Sequence, residues 1–504
     1  MANARKAYDR LIEIRKEVSL IDSISWLLQW DQETGMPARG NPWRAEQLAY
    51  LASSAHEKTI APVVGELLSA CEGTDLVSDA RAAEAVNVRE IRRRYDKKTR
   101  LPRRLVEELA RTTSLAHAAW IEARRERDFG VFRPWLEKIV TLKREQAEAT
   151  GYEDSPYDAL LDDYEPGEKG SHLKELFSGL RDGLVPLIEK ITASPCQPGG
   201  SFLERDYPPE RQRRFGEMAA SSLGFDLSRG RLDEVVHPFC TTVGPEDVRI
   251  TTRYDRSNFS QAFFGILHEA GHGMYEQGLD PEHFGLPAGE AVSLGIHESQ
   301  SRMWENLVGR SRAFWVHFLP KLEGVFHETP GQVGLDDFVH AVNRVRPSFI
   351  RVEADEVTYN LHVIMRFELE MSLISGDITA GEVPTAWNEL FKDYLGLEVP
   401  DDSNGCLQDT HWSLGLFGYF PTYCLGNLYS AQFFAAARRE IPDLEAEFAA
   451  GRFDHLLTWL RENIHCQGMR YRADELVEKV TGESLSMDPL LDYLNSKYSA
   501  LYKL

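Results

Sequence analysis

The chemistry of this chain concentrates in His268-Glu269-Ala270-Gly271-His272. Two histidines four positions apart lie one turn from each other on a helix, so both imidazoles can reach one metal ion. The glutamate between them falls beside that ion, where it can take a proton from a water bound there. This spacing is that of metal-dependent peptidases. A metal site of this kind needs a third protein ligand and leaves its fourth position to water. Three downstream carboxylates are candidates: Glu276, one turn beyond His272, then Glu290, then Glu298, 26 residues after His272. On spacing Glu298 has a modest lead, because the interval leaves room for a loop and the start of a second helix. Glu276 and Glu290 stand as alternatives. His297 competes with its neighbour Glu298, but adjacent helical residues point about 100° apart, so only one of them can face the ion.

The elements that must present these groups are helical. Phe259, Phe263, Phe264, Ile266 and Leu267 lead into the motif, Met274 and Tyr275 leave it, and Gly278 supplies a stop. The apolar residues occupy more than one side, which predicts a helix buried inside the protein. Gly265, Gly271 and Gly273 lower helix propensity, and their small size predicts close approach of another element. Apolar positions at three- and four-residue spacing recur through 4–30, 79–128 (interrupted at Pro102), 132–150, 172–194, 299–325, 335–372 and 427–462. The fold class is therefore all-α with a minor β element. Its best strand, Val248 to Tyr254, alternates and is rich in β-branched residues. We expect it at a sheet edge bordering the active cleft, where an extended peptide could add as a further strand. The turn-rich stretches 195–209, 278–289 and 399–406 are too short for linkers. One domain over 1–504 is expected, with two halves meeting near residue 200 around a cleft.

With 504 residues, 42% of them hydrophobic, the chain can bury a large core. Its net charge of −22 argues against general nucleic-acid binding, which needs a basic face. The basic stretch Arg89 to Arg104 is flanked by acids, has no aromatic interleaving that would support base stacking and reads as a solvated helix face. No apolar run is long enough to span a bilayer and the first residues hold no apolar signal core, so a cytoplasmic protein with no membrane partner is expected. Six scattered cysteines without a Cys-x-x-Cys pair are expected to be reduced, buried thiols.

Further blocks accompany the pentapeptide. They are Trp30-Asp31-Gln32-Glu33-Thr34-Gly35-Met36-Pro37, the stretch from Tyr157 to Gly167 that ends in Tyr164-Glu165-Pro166-Gly167, His237-Pro238-Phe239, and Asp247 to Tyr254. His297-Glu298-Ser299-Gln300, Ile350-Arg351-Val352-Glu353-Ala354-Asp355 and Gly405 to Trp412 follow. In this order, from near residue 30 to beyond 420, the chain resembles the carboxypeptidase Taq family of metallopeptidases. The resemblance implies an almost wholly helical, deep-groove fold shared with angiotensin-converting enzyme and neurolysin. It implies a homodimer that removes single C-terminal residues with broad specificity, using zinc, or cobalt as a substitute. It implies His268, His272 and Glu298 as metal ligands and Glu269 as catalytic base.

The remaining chemistry has named candidates. The oxyanion formed during hydrolysis needs a fixed donor. His411 and Tyr423 are candidates by resemblance to the related groove peptidases, Tyr423 lying outside the family's blocks. A free terminal carboxylate suits arginine, whose planar fork makes two charge-assisted hydrogen bonds. Arg351 leads, with Arg249 and Arg253 behind it. His237 is either a loop residue capping a neighbouring element or part of the groove wall. Gln408, Asp409 and Trp412 read as structural, with Asp409 able to orient His411. Asp355 could do likewise or pair with Arg351. The cluster Phe417, Tyr419, Phe420 and Tyr423 reads chiefly as core.

Overall fold

A computed structural model describes residues 2–327 and 333–504. Among these residues the chain forms twenty α-helices and one three-stranded sheet. The long charged region divides where proline forbids continuation: Ala83–Arg100 ends before Pro102, which starts Arg103–Glu126. The run expected over 335–372 is two helices, Leu335–Val342 and Thr358–Ser375. The segment between them holds Arg351 in a short 3-10 turn.

The strands are β1 (Gly230–Glu234), β2 (Cys240–Gly244) and β3 (Asp247–Thr252). Their order is β1-β3-β2, with β1 parallel and β2 antiparallel to β3. The strand expected at an edge is thus the central one. Both of its hydrogen-bonding sides are occupied, so it has no free edge to offer an extended peptide. Val248 and Ile250 are fully buried, and the sheet packs on the helix that carries the metal motif.

That helix spans Phe259–Glu276, with Asn258 as N-cap accepting from the Gln261 N–H. Apolar side chains on several faces are buried, Phe259, Ala262, Phe263, Phe264, Leu267 and Tyr275 among them, as expected for an interior helix. It packs on Pro209–Leu223, on β3 and on the helix Leu294–Arg302. The last contact depends on Gly271, where an added Cβ would lie 2.6 Å from Ser301 Cα and 2.7 Å from the Gln300 carbonyl oxygen. On its other side Leu294–Arg302 lies against Pro421–Glu440, where Gly426 leaves the space taken by the Glu298 side chain. After Arg302 the helix widens into a π-helical segment, Met303–Val308, a distortion that is frequent at functional sites.

One main apolar core runs from Ala116 to Tyr502, and a smaller one joins the first, third and fourth helices through Leu11, Leu68 and Val88. The basic stretch is not simply a solvated face. Arg93 and Lys97 bind Asp162, and Arg94 binds Glu290, tying this helix to distant segments. All six cysteines are free; Cys71, Cys406 and Cys424 are buried, but Cys466 is exposed. No helix among the described residues is long and apolar enough to cross a membrane.

Candidate metal centre

His268 and His272 face Glu298 across the contact between their two helices. Glu298 Oε2 lies 3.6 Å from His268 Nε2 and 3.4 Å from His272 Nε2. One ligand atom from each of the three residues falls within 4.8 Å of the others. The opposite ring nitrogens are engaged elsewhere: His268 Nδ1 lies 2.9 Å from Glu305 Oε2, and His272 Nδ1 lies 3.1 Å from the His297 carbonyl oxygen. Each Nδ1 can donate to its oxygen, which leaves both Nε2 lone pairs pointing inward. That is the arrangement of a metal-ligating histidine with an outer hydrogen-bond partner, so the donor set suits a divalent transition metal.

The competing residues have other partners. Glu276 takes His297 Nε2 at 2.9 Å and the Thr242 hydroxyl at 2.8 Å. Glu290 is bound by Arg15 at 3.1 Å and by Arg94 at 2.5 Å. The His297 ring stacks on that of His272, with centroids 4.5 Å apart.

Burial sets the protonation states. It would raise Glu298, but Arg302 and His268 hold that carboxyl well below its usual range. Burial and the neighbouring His297 push His272 down to about 3, leaving it neutral and able to ligate. Glu269, between the two histidines, is buried and pushed up to about 7. Two residues that sequence reasoning missed complete this shell. Arg302 binds Glu298 Oε1 at 2.7 Å and lies 4.2 Å above the Tyr359 ring. Glu305 holds His268. Their signal in the sequence was position, one and two turns beyond Glu298 along the same helix.

Arg351 lies in a second charged cluster. Its Nε and Nη2 donate to Asp409 Oδ1 at 3.0 and 2.8 Å, and its Nη1 donates to the Tyr359 hydroxyl at 2.9 Å. Arg366 donates to the other oxygen of Asp409 at 2.7 Å. Asp409 therefore binds two guanidiniums instead of orienting His411, whose Nδ1 is 3.9 Å away and outside hydrogen-bond range. Asp355 does not pair with Arg351; it accepts from the Val357 and Thr358 N–H groups and the Arg346 N–H. Gln408 accepts from the Arg351 N–H, and the Trp412 indole donates to Glu370.

His411 and Tyr423 adjoin this cluster, with His411 Nε2 3.3 Å from the Tyr423 hydroxyl. The Arg351 guanidinium lies 4.9 Å from the Tyr423 ring centroid. Burial keeps the Tyr423 phenol well above its usual range, with Tyr419 and Glu298 adding to the effect. Burial lowers His411 to about 4, so its ring is neutral. Phe417 and Phe420 are core, while Tyr419 and Tyr423 are only partly buried. Arg249 makes a bidentate pair with Asp247 at 2.8 and 2.7 Å and lies 4.2 Å from the Trp30 ring centroid. His237 is exposed in the loop between β1 and β2, and Arg253 is exposed just after β3.

Two helices converging two histidines and a glutamate within a helical fold define a metallopeptidase-like centre. The comparisons give it a family. Residues 10–498 match the carboxypeptidase Taq (M32) metallopeptidase family, to which the chain belongs. It is 49% identical to thermostable carboxypeptidase 1 of Thermus thermophilus, over 98% of this chain and 99% of that protein. It is 38% identical to carboxypeptidase 1 of Bacillus subtilis, over 98% of each. The M32 carboxypeptidase of Deinococcus radiodurans R1 superposes with a TM-score of 0.96 at 41% identity, covering 99% of this chain and 100% of the other. Trypanosoma cruzi metallocarboxypeptidase 1 gives 0.93 at 35% identity, covering 98% and 99%. This chain is a metallocarboxypeptidase, a peptide hydrolase.

Proposed function

We propose that the protein is a zinc-dependent carboxypeptidase that removes single residues of broad identity from peptides with a free C-terminus, and that it works as a homodimer. One observation carries this reading. His268 Nε2, His272 Nε2 and a Glu298 oxygen converge from two helices, with buried Glu269 on the same helix as both histidines. Those three residues hold the zinc. Cobalt suits two imidazoles and a carboxylate as well. When bound, the metal supplies Lewis acidity toward water and the scissile carbonyl.

The chain's own groups do the rest. Glu269 accepts a proton from the attacking water and returns it to the leaving amine nitrogen. Its raised pKa, near 7 from burial, suits both steps. Tyr423 and His411 are neutral donors that steady the oxyanion developing on the substrate carbonyl. Arg351 takes the terminal carboxylate. Three of its five N–H donors are used, and the Arg351–Asp409–Arg366 cluster holds two positive charges against one negative. A substrate carboxylate supplies the missing charge. Arg249 in β3 and His237 in the loop between β1 and β2 are secondary contacts for the peptide.

The test is mass-spectrometric digestion of one peptide with free and with amidated C-terminus, using zinc-loaded wild type and Glu269→Gln. Stepwise loss of single residues from the free peptide only, absent in the variant, supports the reading. Internal cleavage of both peptides overturns it and removes Arg351 from its role.

A further inference from the structure

Among the blocks that carry the family resemblance, Tyr164-Glu165-Pro166-Gly167 takes no part in the reaction described above. Its place in the fold is informative. The Glu165 carboxylate is fully buried and sits at the N-terminus of the Leu294–Arg302 helix. Its Oε2 accepts from the Gly295 N–H at 3.0 Å, and its Oε1 accepts from the Ser293 hydroxyl at 2.7 Å and the Tyr429 hydroxyl at 3.0 Å. Ser293 Oγ accepts in turn from the Ile296 N–H at 3.1 Å, and the Tyr164 carbonyl accepts from the Leu294 N–H at 3.1 Å. The first N–H groups of a helix lack partners within it. Here three consecutive ones are satisfied, two by Tyr164-Glu165 and one through a hydroxyl that Glu165 binds.

Gly295 fits this purpose, because an added Cβ would lie 2.8 Å from Glu165 Oε2 and 2.9 Å from the Tyr429 ring. The strap is itself tied down: Arg93 donates to the Asp162 carbonyl and carboxylate at 3.2 and 3.0 Å, and Lys97 binds the same carboxylate at 2.8 Å. On its far side the Tyr164 ring meets Tyr419 edge-on at 5.1 Å. Tyr419 lies 5.4 Å from the rings of both His411 and Tyr423.

We infer that Tyr164-Glu165 is a positioning strap: Glu165 fixes the start of the helix one turn before Glu298, and Tyr164 holds the His411–Tyr423 wall against it. Neither residue is catalytic. The inference rests on the metal reading proposed above, and the test separates the two.

Zinc affinity of the full-length protein is measured by chelator competition for wild type, Glu165→Ala, Glu165→Gln and Glu298→Ala, with melting temperatures of metal-free and zinc-loaded forms. Glu165→Ala is expected to weaken zinc binding by up to about 10-fold, less than the loss of a group that touches a metal ligand directly, because Glu165 acts through the start of the helix that carries Glu298. Glu165→Gln retains most of the affinity, because its oxygen can face the Gly295 N–H while its amide donates to the two hydroxyls. Tyr164→Ala leaves zinc affinity unchanged but lowers kcat more than it raises KM. A Glu165→Ala protein that binds zinc as wild type does, with equal loss of melting temperature in both forms, overturns the strap. If that variant does not fold, Glu165→Asp withdraws the carboxylate by one methylene; an unchanged zinc affinity there overturns the inference equally. Should Glu298→Ala bind zinc as tightly as wild type, the metal reading itself fails, whatever Glu165 does.

Discussion

The Oε2 atom of Glu305 lies 2.9 Å from Nδ1 of His268, while Nε2 of the same ring lies 3.6 Å from Glu298. The imidazole is gripped between two carboxylates of one helix, and the outer one is itself bound by Arg302 at 3.3 Å. Burial would raise Glu305, but His268 and Arg302 bring it down to about 2. It therefore stays an anion that fixes the proton of His268 on Nδ1. Glu305→Ala should weaken zinc binding by about 10–100-fold, with Glu305→Gln intermediate, measured by chelator competition at neutral pH. Equal affinity in all three proteins refutes the role.

Glu269→Gln keeps the shape of the side chain and removes its basicity. We expect kcat to fall by about 10²–10⁴-fold, the usual worth of a positioned general base, with metal content unchanged by elemental analysis. Loss of the metal together with activity would assign Glu269 a structural part instead.

Arg351→Met tests carboxylate recognition. Removing one partner of a buried ion pair costs about 3–5 kcal/mol when the other charge is left alone. Here Asp409 keeps Arg366 at 2.7 Å, so the loss in denaturant unfolding should fall below that range. Activity on free-carboxylate peptides should drop sharply through KM. An unchanged KM for such peptides would leave Arg351 only its pairing with Asp409.

Gly271→Ala places a methyl group against backbone, 2.6 Å from Ser301 Cα. Backbone cannot step aside as a flexible side chain can, so the two helices must separate. The expected cost is about 1–3 kcal/mol from overpacking, and zinc affinity should fall with it because Glu298 rides on the displaced helix. Thermal unfolding and chelator competition on the same preparation check both.

Glu370 gives a pH dependence. Burial outweighs three donors (Trp412, Tyr157 and the Gly418 N–H) and raises its carboxyl from 4.5 to about 7. Between those values the unfolded chain has released this proton and the folded chain has kept it. Stability from this group is therefore full below about pH 4.5 and is lost as pH rises through about 7. Over that window the slope of unfolding free energy against pH should be less negative (or more positive) for Glu370→Gln than for wild type, whatever their absolute stabilities. Parallel slopes would show that Glu370 titrates normally.

Sequence alone specified what depends on local pattern. Helical periodicity, Pro102 as a break, the buried helix around His268 and the His268/His272 spacing are properties of neighbouring residues, because 3.6 residues per turn fixes which side chains share a face. The small residue at Gly271 already signalled a close neighbour. Apart from Glu298, which spacing and the family resemblance both favoured, pairings across long separations were not legible, because they depend on how helices pack. Only the tertiary structure set Glu298 across from the two histidines while Glu276 and Glu290 bind other groups. It also put β3 at the centre of its sheet, and gave Asp409 to Arg351 and Arg366 instead of His411. The physical reason is the cost of burying charge: once the chain folds, each buried carboxylate must find a cation or several donors. Packing over the whole chain decides which partner comes within reach.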